Sequence, residues 1–215
     1  MLTPSSFLES SLDAVAVLDG ETLERLLFRA SGMGARPAPE ICEQVLLPLL
    51  RAIGDRWEKK RLSVAAEHFG SAIVRARLQG LLDSEDRRRP NAPKVVCACP
   101  EGELHEGGLL AFAVHAAGSG LDVIYLGANT PTEETLATAE TTHARAIALS
   151  ITRPLAKSMR TKMLSRLSAW KDSGRDRRVL LGGYGAERER QRFREAGLII
   201  VDQATGVALP WGDSD

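Results

Sequence analysis

Two hydrophobic rhythms divide the chain. From Ser5 to about Leu82 apolar residues recur every three to four positions, the period of helices that bury one face. Leu8, Leu12 and Val15 mark a first helix. Asp19 or Gly20 opens a second, lined by Leu23, Leu26, Leu27 and Ala30. The run from Ser31 to Pro39 is rich in Gly and Pro and reads as a loop. Glu40 opens a third helix with Ile41, Val45, Leu46, Leu49, Leu50, Ile53 and Trp57 at helical spacing. Pro48 inside it predicts a kink or local irregularity, because proline lacks the N–H an interior helical position needs. Lys59, Lys60 and Arg61 close it with positive charge at the negative end of the helix dipole. Ser63 caps a fourth helix carrying Ala66, Phe69, Ile73, Val74 and Leu78. Four helices joined by short loops predict a bundle over residues 1–83.

Residues 84–93 are charged and then Pro-rich, the composition of a linker, with Arg87 to Arg89 read as solvated. Over 94–215 the rhythm becomes alternating strand and helix. Strand-like runs are Val95 to Cys99, Asp122 to Leu126, Ala146 to Ile151, Arg178 to Leu181 and Leu198 to Val201. Helical runs fall between them: Gly108 to Ala117, Thr132 to Thr142, Leu155 to Trp170 and Glu187 to Ala196. This is the βαβ rhythm of a doubly wound parallel sheet, Rossmann-like or flavodoxin-like, so the fold class is α plus α/β. In such sheets ligands bind beyond the carboxyl ends of the strands.

Charge narrows the function classes. Lys plus Arg number 28 and Asp plus Glu number 28. A balanced chain lacks the basic field of a dedicated nucleic-acid-binding domain, so no direct nucleic-acid partner is expected. No apolar run is long enough to span a bilayer, so no membrane partner is expected. The first twenty residues carry Glu9, Asp13 and Asp19 and no basic n-region, which argues for a cytoplasmic protein with free thiols. Cys97 and Cys99 share one face of a predicted strand and read as core thiols.

Three strand ends hold chemistry-bearing residues. The first strand runs into Glu103, His105 and Gly108, the third into Ser150 and Thr152, the fourth into Gly182 and Gly183. Each alone is an ordinary loop feature. No phosphate loop and no Gly-x-Gly-x-x-Gly after the first strand is present, which argues against a nicotinamide cofactor.

Together these residues, in order and spacing, resemble the cobalamin-binding domain of corrinoid enzymes and sensors. That family carries Asp/Glu-x-His-x-x-Gly, Ser-x-Leu/Thr and Gly-Gly at successive strand ends, here Glu103-x-His105-x-x-Gly108, Ser150-x-Thr152 and Gly182-Gly183. The resemblance implies that His105 ligates cobalt from below, displacing the cofactor's own base. The freed nucleotide tail then runs into the sheet domain. A neutral imidazole suits cobalt. The resemblance implies that Glu103 takes the carboxylate role on the other ring nitrogen, and being longer than the usual Asp it leaves open whether that hydrogen bond is direct or indirect. Gly108, Gly182 and Gly183 leave room for the tail, and Ser150 and Thr152 can hydrogen-bond it.

The helical half resembles the sensory part of MerR-type cobalamin photoreceptors of the CarH kind. Trp57, with Glu67-His68 ten positions on and Val64 between, matches their Trp-x9-Glu-His motif. The resemblance implies adenosylcobalamin, with the bundle over the upper corrin face. Trp57 and Val64 then wall the adenosyl pocket, Glu67 accepts hydrogen bonds from it, and His68 stands beside it. Two departures stand out. The DNA-binding domain of those regulators has no counterpart before Glu40. Glu58 also stands where some of them place a second cobalt-ligating His, which leaves His68 or water for the upper position after photolysis. The reading is a stand-alone light sensor that signals to an unidentified protein partner and self-associates as a homodimer. Biliverdin or another bilin is an open second chromophore, though no attachment signal is legible. The alternatives are a corrinoid carrier for methyl transfer and a non-photic cobalamin-sensing module.

Overall fold

A computed structural model describes residues 3–85 and 91–201. The chain divides into two compact units, Met1–Glu85 and Asp86–Asp215. The Arg87 to Arg89 run and the chain beyond Val201 lie outside the described residues.

The first unit is helical. Helix α1 (Pro4–Ala16) starts at Thr3, whose hydroxyl accepts the Ser6 N–H in a reciprocal capping box. It buries Phe7, Leu12 and Val15, while the expected Leu8 is half-buried. The face is thus turned by one residue toward the larger aromatic ring. Helix α2 (Gly20–Ala30) is capped by Asp19, which accepts the Thr22 N–H, and buries Leu23, Leu26 and Leu27. That cap pulls the Asp19 carboxyl below its ordinary range.

The third predicted helix is one run in three pieces: α3 (Ala38–Ile41), a π-helical turn (Cys42–Leu46) and α4 (Leu47–Glu58). The irregularity expected at Pro48 is this π turn. Leu47 N–H bonds back to the Cys42 carbonyl, five residues away, so the ladder has shifted register just before the residue with no donor. Helix α4 stops in a Schellman-type closure. Lys60 takes a left-handed φ of +56°, its N–H reaches Trp57 O, and Arg61 N–H reaches Arg56 O. Ser63 Oγ accepts the Ala66 N–H and starts α5 (Val64–Glu85). Gly70 on α5 lets Val15 and Ile53 approach within 3.0 Å of where a Cβ would stand, which locks α1, α4 and α5 together.

The second unit is a five-stranded parallel sheet in the order β2-β1-β3-β4-β5. The strands are β1 (Lys94–Pro100), β2 (Asp122–Thr130), β3 (Ala146–Ser150), β4 (Arg178–Gly182) and β5 (Ile199–Ile200). The connecting helices are α6 (Gly107–Gly118), α7 (Thr132–Thr141), α8 (Lys157–Asp172), α9 (Tyr184–Arg188) and α10 (Arg190–Glu195). The single helix expected from Glu187 to Ala196 is split at Glu189, whose φ of −114° is not helical. Strand alternation separates the two faces. Val96, Ile147, Leu149, Val179 and Leu181 pack with Ala139, Met163, Leu167, Trp170 and Phe193 from α7, α8 and α10. Helix α6 buries Leu109, Leu110, Ala113 and Val114 outside that cluster. The strand order reverses between β1 and β3, so right-handed crossovers place α6 on the face opposite α7 and α8. That reversal is the switch point where open α/β sheets bind ligands.

Candidate functional site

The loop after β1 begins as a tight turn. Glu103 N–H bonds to Pro100 O, and Gly102 between them has a φ of +82°, which glycine adopts without strain. The turn swings the Glu103 side chain inward, where the residue is buried to 3% exposure. Its carboxylate serves two loops. Oε1 accepts the His105 backbone N–H at 2.9 Å and the His105 ring Nδ1–H at 2.7 Å. Oε2 accepts the backbone N–H groups of Thr152 at 2.7 Å and Arg153 at 3.0 Å, both beyond the end of β3.

Of the two arrangements left open for Glu103, direct or indirect, the structure has the direct hydrogen bond. The extra methylene does not overshoot, because the side chain folds back on its own turn and places one oxygen on each loop. Burial by itself pushes the Glu103 carboxyl up, but the backbone N–H groups of His105, Arg153 and Thr152 and the His105 ring outweigh it. They hold the carboxyl below the ordinary range and ionised at neutral pH. The ring of His105 is half-exposed. With Nδ1–H given to the carboxylate, the lone pair of Nε2 is left without a partner among the described residues.

Around this pair the loop is fastened on other sides. Asn129, near the end of β2, accepts the Gly102 N–H on its side-chain oxygen at 2.8 Å and donates its own N–H to Glu103 O at 2.9 Å. Cys99 lies beneath, its thiol directed at His105 O at 3.8 Å. Burial pushes that thiol up to about 12. Cys97 and Cys99 are buried and neutral, as core thiols should be. Tyr125 OH donates to Glu106, the residue after His105, at 3.0 Å.

Beside the loop lies a row of small residues. Ser150 pairs with Gly182 across β3 and β4, and a Cβ on Gly108 would stand 3.7 Å from Ser150 Oγ. A Cβ on Gly182 would meet nothing within 4 Å. Gly183 differs: its φ is +94° and a Cβ there would stand 2.5 Å from the Ile151 carbonyl oxygen. The fold itself requires that glycine, whereas Gly182 leaves open ground. The hydroxyls of Ser150 and Thr152 make no hydrogen bond within the protein among the described residues.

In the helical unit, Trp57 sits in the last turn of α4 and Val64 opens α5, with exposures of 39% and 55% for large apolar residues. Glu67 is held on both oxygens, by Ser71 Oγ–H at 2.8 Å and by the His68 ring at Nδ1. His68 is largely exposed. The tight α4–α5 connection thus brings these four residues to one end of the bundle.

The sequence reading missed the β3-loop amides as partners of Glu103, and it missed Asn129. A signal for Asn129 was present. Gly127-Ala-Asn-Thr-Pro131 contains two residue types that tolerate left-handed backbone, before a proline.

A helical unit followed by a 2-1-3-4-5 parallel sheet, with an imidazole at its switch point, makes a doubly wound α/β protein with a candidate ligand site at the strand ends. The chain belongs to the B12 binding domain family: one family model of that description matches residues 93–208, and a second matches 8–81. It is 31% identical over 199 residues to the HTH-type transcriptional repressor CarA of Myxococcus xanthus, covering 92% of this chain and 65% of that protein. It is 37% identical over 126 residues to the HTH-type transcriptional repressor CarH of the same organism, covering 59% of this chain and 41% of that protein. The chain therefore spans less than two thirds of either relative. The fold is shared with the monomethylamine corrinoid protein of Methanosarcina barkeri, at a TM-score of 0.69, 15% identity and 93% coverage of both chains.

Proposed function

We propose that this protein is an adenosylcobalamin-binding light sensor, with His105 as the lower cobalt ligand. The observation that carries the reading is the Glu103–His105 pair, a carboxylate-fixed imidazole with a free Nε2 at the sheet's switch point. The open ground at Gly182, and the Ser150 and Thr152 hydroxyls that make no bond to the described protein, fit a nucleotide tail that needs space and donors. When bound, adenosylcobalamin supplies a cobalt–carbon bond that visible light breaks. His105 offers its lone pair to the metal, and Glu103 keeps the ring in the right tautomer and raises its basicity. Trp57 and Val64 present apolar surface for the adenosyl group, and Glu67 presents a carboxylate for its hydroxyls. The adenosyl form, light response, any bilin, the output partner and a homodimer all belong to this proposal.

A methyl carrier shares the fold, but a fold alone does not choose between them. The Trp-x9-Glu-His set, and a 31% identity to CarA in an alignment covering 92% of the chain, support the sensor. The test is illumination of protein loaded in the dark with adenosylcobalamin. Loss of the adenosyl spectrum, with a changed elution volume on sizing chromatography, is expected. Loss of the adenosyl group without any change in size or protease sensitivity would leave a binding module and end the light-sensor reading.

A further inference from the structure

We propose that Asn129 is a positioning residue for the His105 ligand, a role that rests on the cobalamin reading above. Three observations carry it. First, β2 is built to deliver this residue. Its pairing with β1 skips one residue between Cys97 and Ala98, and shifts again between Ala98 and Pro100, so β2 overruns its partner by two residues. Bulges of this kind re-aim a side chain at the end of a strand. Second, Asn129 takes a left-handed φ of +55°, which Asn tolerates better than most non-glycine residues, so the residue type suits this strand end. Third, its side-chain oxygen and its backbone N–H both bond to the histidine loop. The side-chain oxygen takes the Gly102 N–H and the backbone N–H takes Glu103 O, on either side of one peptide unit.

The consequence is geometric. Glu103 fixes the His105 ring, but Glu103 sits on a turn of its own. Its two partners at β3, the Thr152 and Arg153 amides, pull that turn in one direction only. Asn129 ties the same turn to β2 on the opposite side of β1, since the sheet order is β2-β1-β3. With both ties the imidazole is held over the switch point. With the side-chain part of the β2 tie cut and only the backbone bond left, the turn rocks more readily toward β3 and Nε2 leaves its place more often.

The test uses Asn129→Gly in the full chain, because glycine keeps the left-handed φ while the side chain and its bond from Gly102 N–H are lost and the backbone bond to Glu103 O stays. The neighbouring variant Thr130→Ala, which loses a hydrogen bond to Gly127 O, controls for general loosening of the strand end. In cobalamin-free protein, amide exchange over residues 101–105 is expected to run about fivefold to tenfold faster in Asn129→Gly than in wild type, the factor one lost hydrogen bond gives. In protein loaded with hydroxocobalamin, the absorbance signature of histidine-ligated cobalt is expected to fall by a similar factor relative to the unligated form. Thr130→Ala is expected to match wild type in both. Unchanged exchange and an unchanged ligated fraction in Asn129→Gly overturn the assignment, and so does an equal loss in Thr130→Ala. His105→Ala sets the unligated baseline. If wild type already matches it, the lower-ligand reading fails, and the cobalamin-free exchange still judges the Asn129 tie separately.

Discussion

One carboxylate carries the local chemistry of the sheet unit. Glu103 is buried, ionised and bonded to three backbone amides and one imidazole, so its removal leaves several donors stranded. Glu103→Ala is expected to destabilise the cobalamin-free protein by about 2–4 kcal/mol, read from urea unfolding at neutral pH. Its pH dependence has a definite sign. The folded-state carboxyl lies below the ordinary range, so its contribution is full above the unfolded value and fades as pH falls through the folded one. The gap between wild type and Glu103→Ala should narrow in acid; a gap that widens contradicts the assignment. The two adjacent glycines make an internal contrast. Gly183→Ala should lower stability by about 2 kcal/mol or more, since its Cβ meets the Ile151 backbone at a left-handed φ. Gly182→Ala should cost less than about 1 kcal/mol, because its Cβ enters open space, yet weaken cobalamin binding. Titration of both variants with hydroxocobalamin, alongside their melting curves, separates the roles.

At the scale of elements, the helical unit depends on a close three-helix approach at Gly70. A Cβ there would stand 2.8 Å from Val15 and 3.0 Å from Ile53. Gly70→Ala should destabilise by about 1–3 kcal/mol through overpacking, despite alanine's better helix propensity, and thermal melting reads it directly. Legibility in the sequence also divides by element. The five strands and the doubly wound class follow from apolar runs alternating with helical ones, which are local signals, whereas the order β2-β1-β3-β4-β5 comes from tertiary pairing. The kink at Pro48 was legible, but its form as a π turn was not, because the bond that shifts belongs to Leu47 and Cys42 rather than to proline. The split at Glu189 was hidden by a continuous charged and apolar pattern. Glu189 is drawn out of helical geometry while it pairs with Arg160 of α8 and Arg192. Those are tertiary contacts that no window of sequence contains. The bulges of β2 were hidden for the same reason. Glu103, His105, Ser150, Thr152 and Gly182 were legible as strand-end chemistry, whereas the amides that grip Glu103 carry no residue signature.

For the whole molecule, the two units carry different sets of candidate residues. In the proposed function the sheet unit offers His105 as metal ligand and open ground at Gly182, and the helical unit offers Trp57, Val64 and Glu67 for the upper ligand. Trp57→Ala is therefore expected to weaken binding of adenosylcobalamin several-fold while leaving hydroxocobalamin affinity within about twofold, since an aromatic contact contributes about 0.5–1.5 kcal/mol beyond its buried area. Equal effects on both forms, measured by equilibrium titration, would contradict the pocket assigned to Trp57. Among the described residues no helix is long and apolar enough to cross a membrane.

The central claim is that one imidazole of this chain grips cobalt. The most direct measurement is the absorbance spectrum of protein soaked in excess hydroxocobalamin and then desalted, for wild type and for His105→Ala. About one cobalamin per wild-type chain with a histidine-ligated spectrum is expected, and weakened or ligand-shifted cobalamin in the variant. Colourless wild-type protein, or identical spectra from the two, would contradict it.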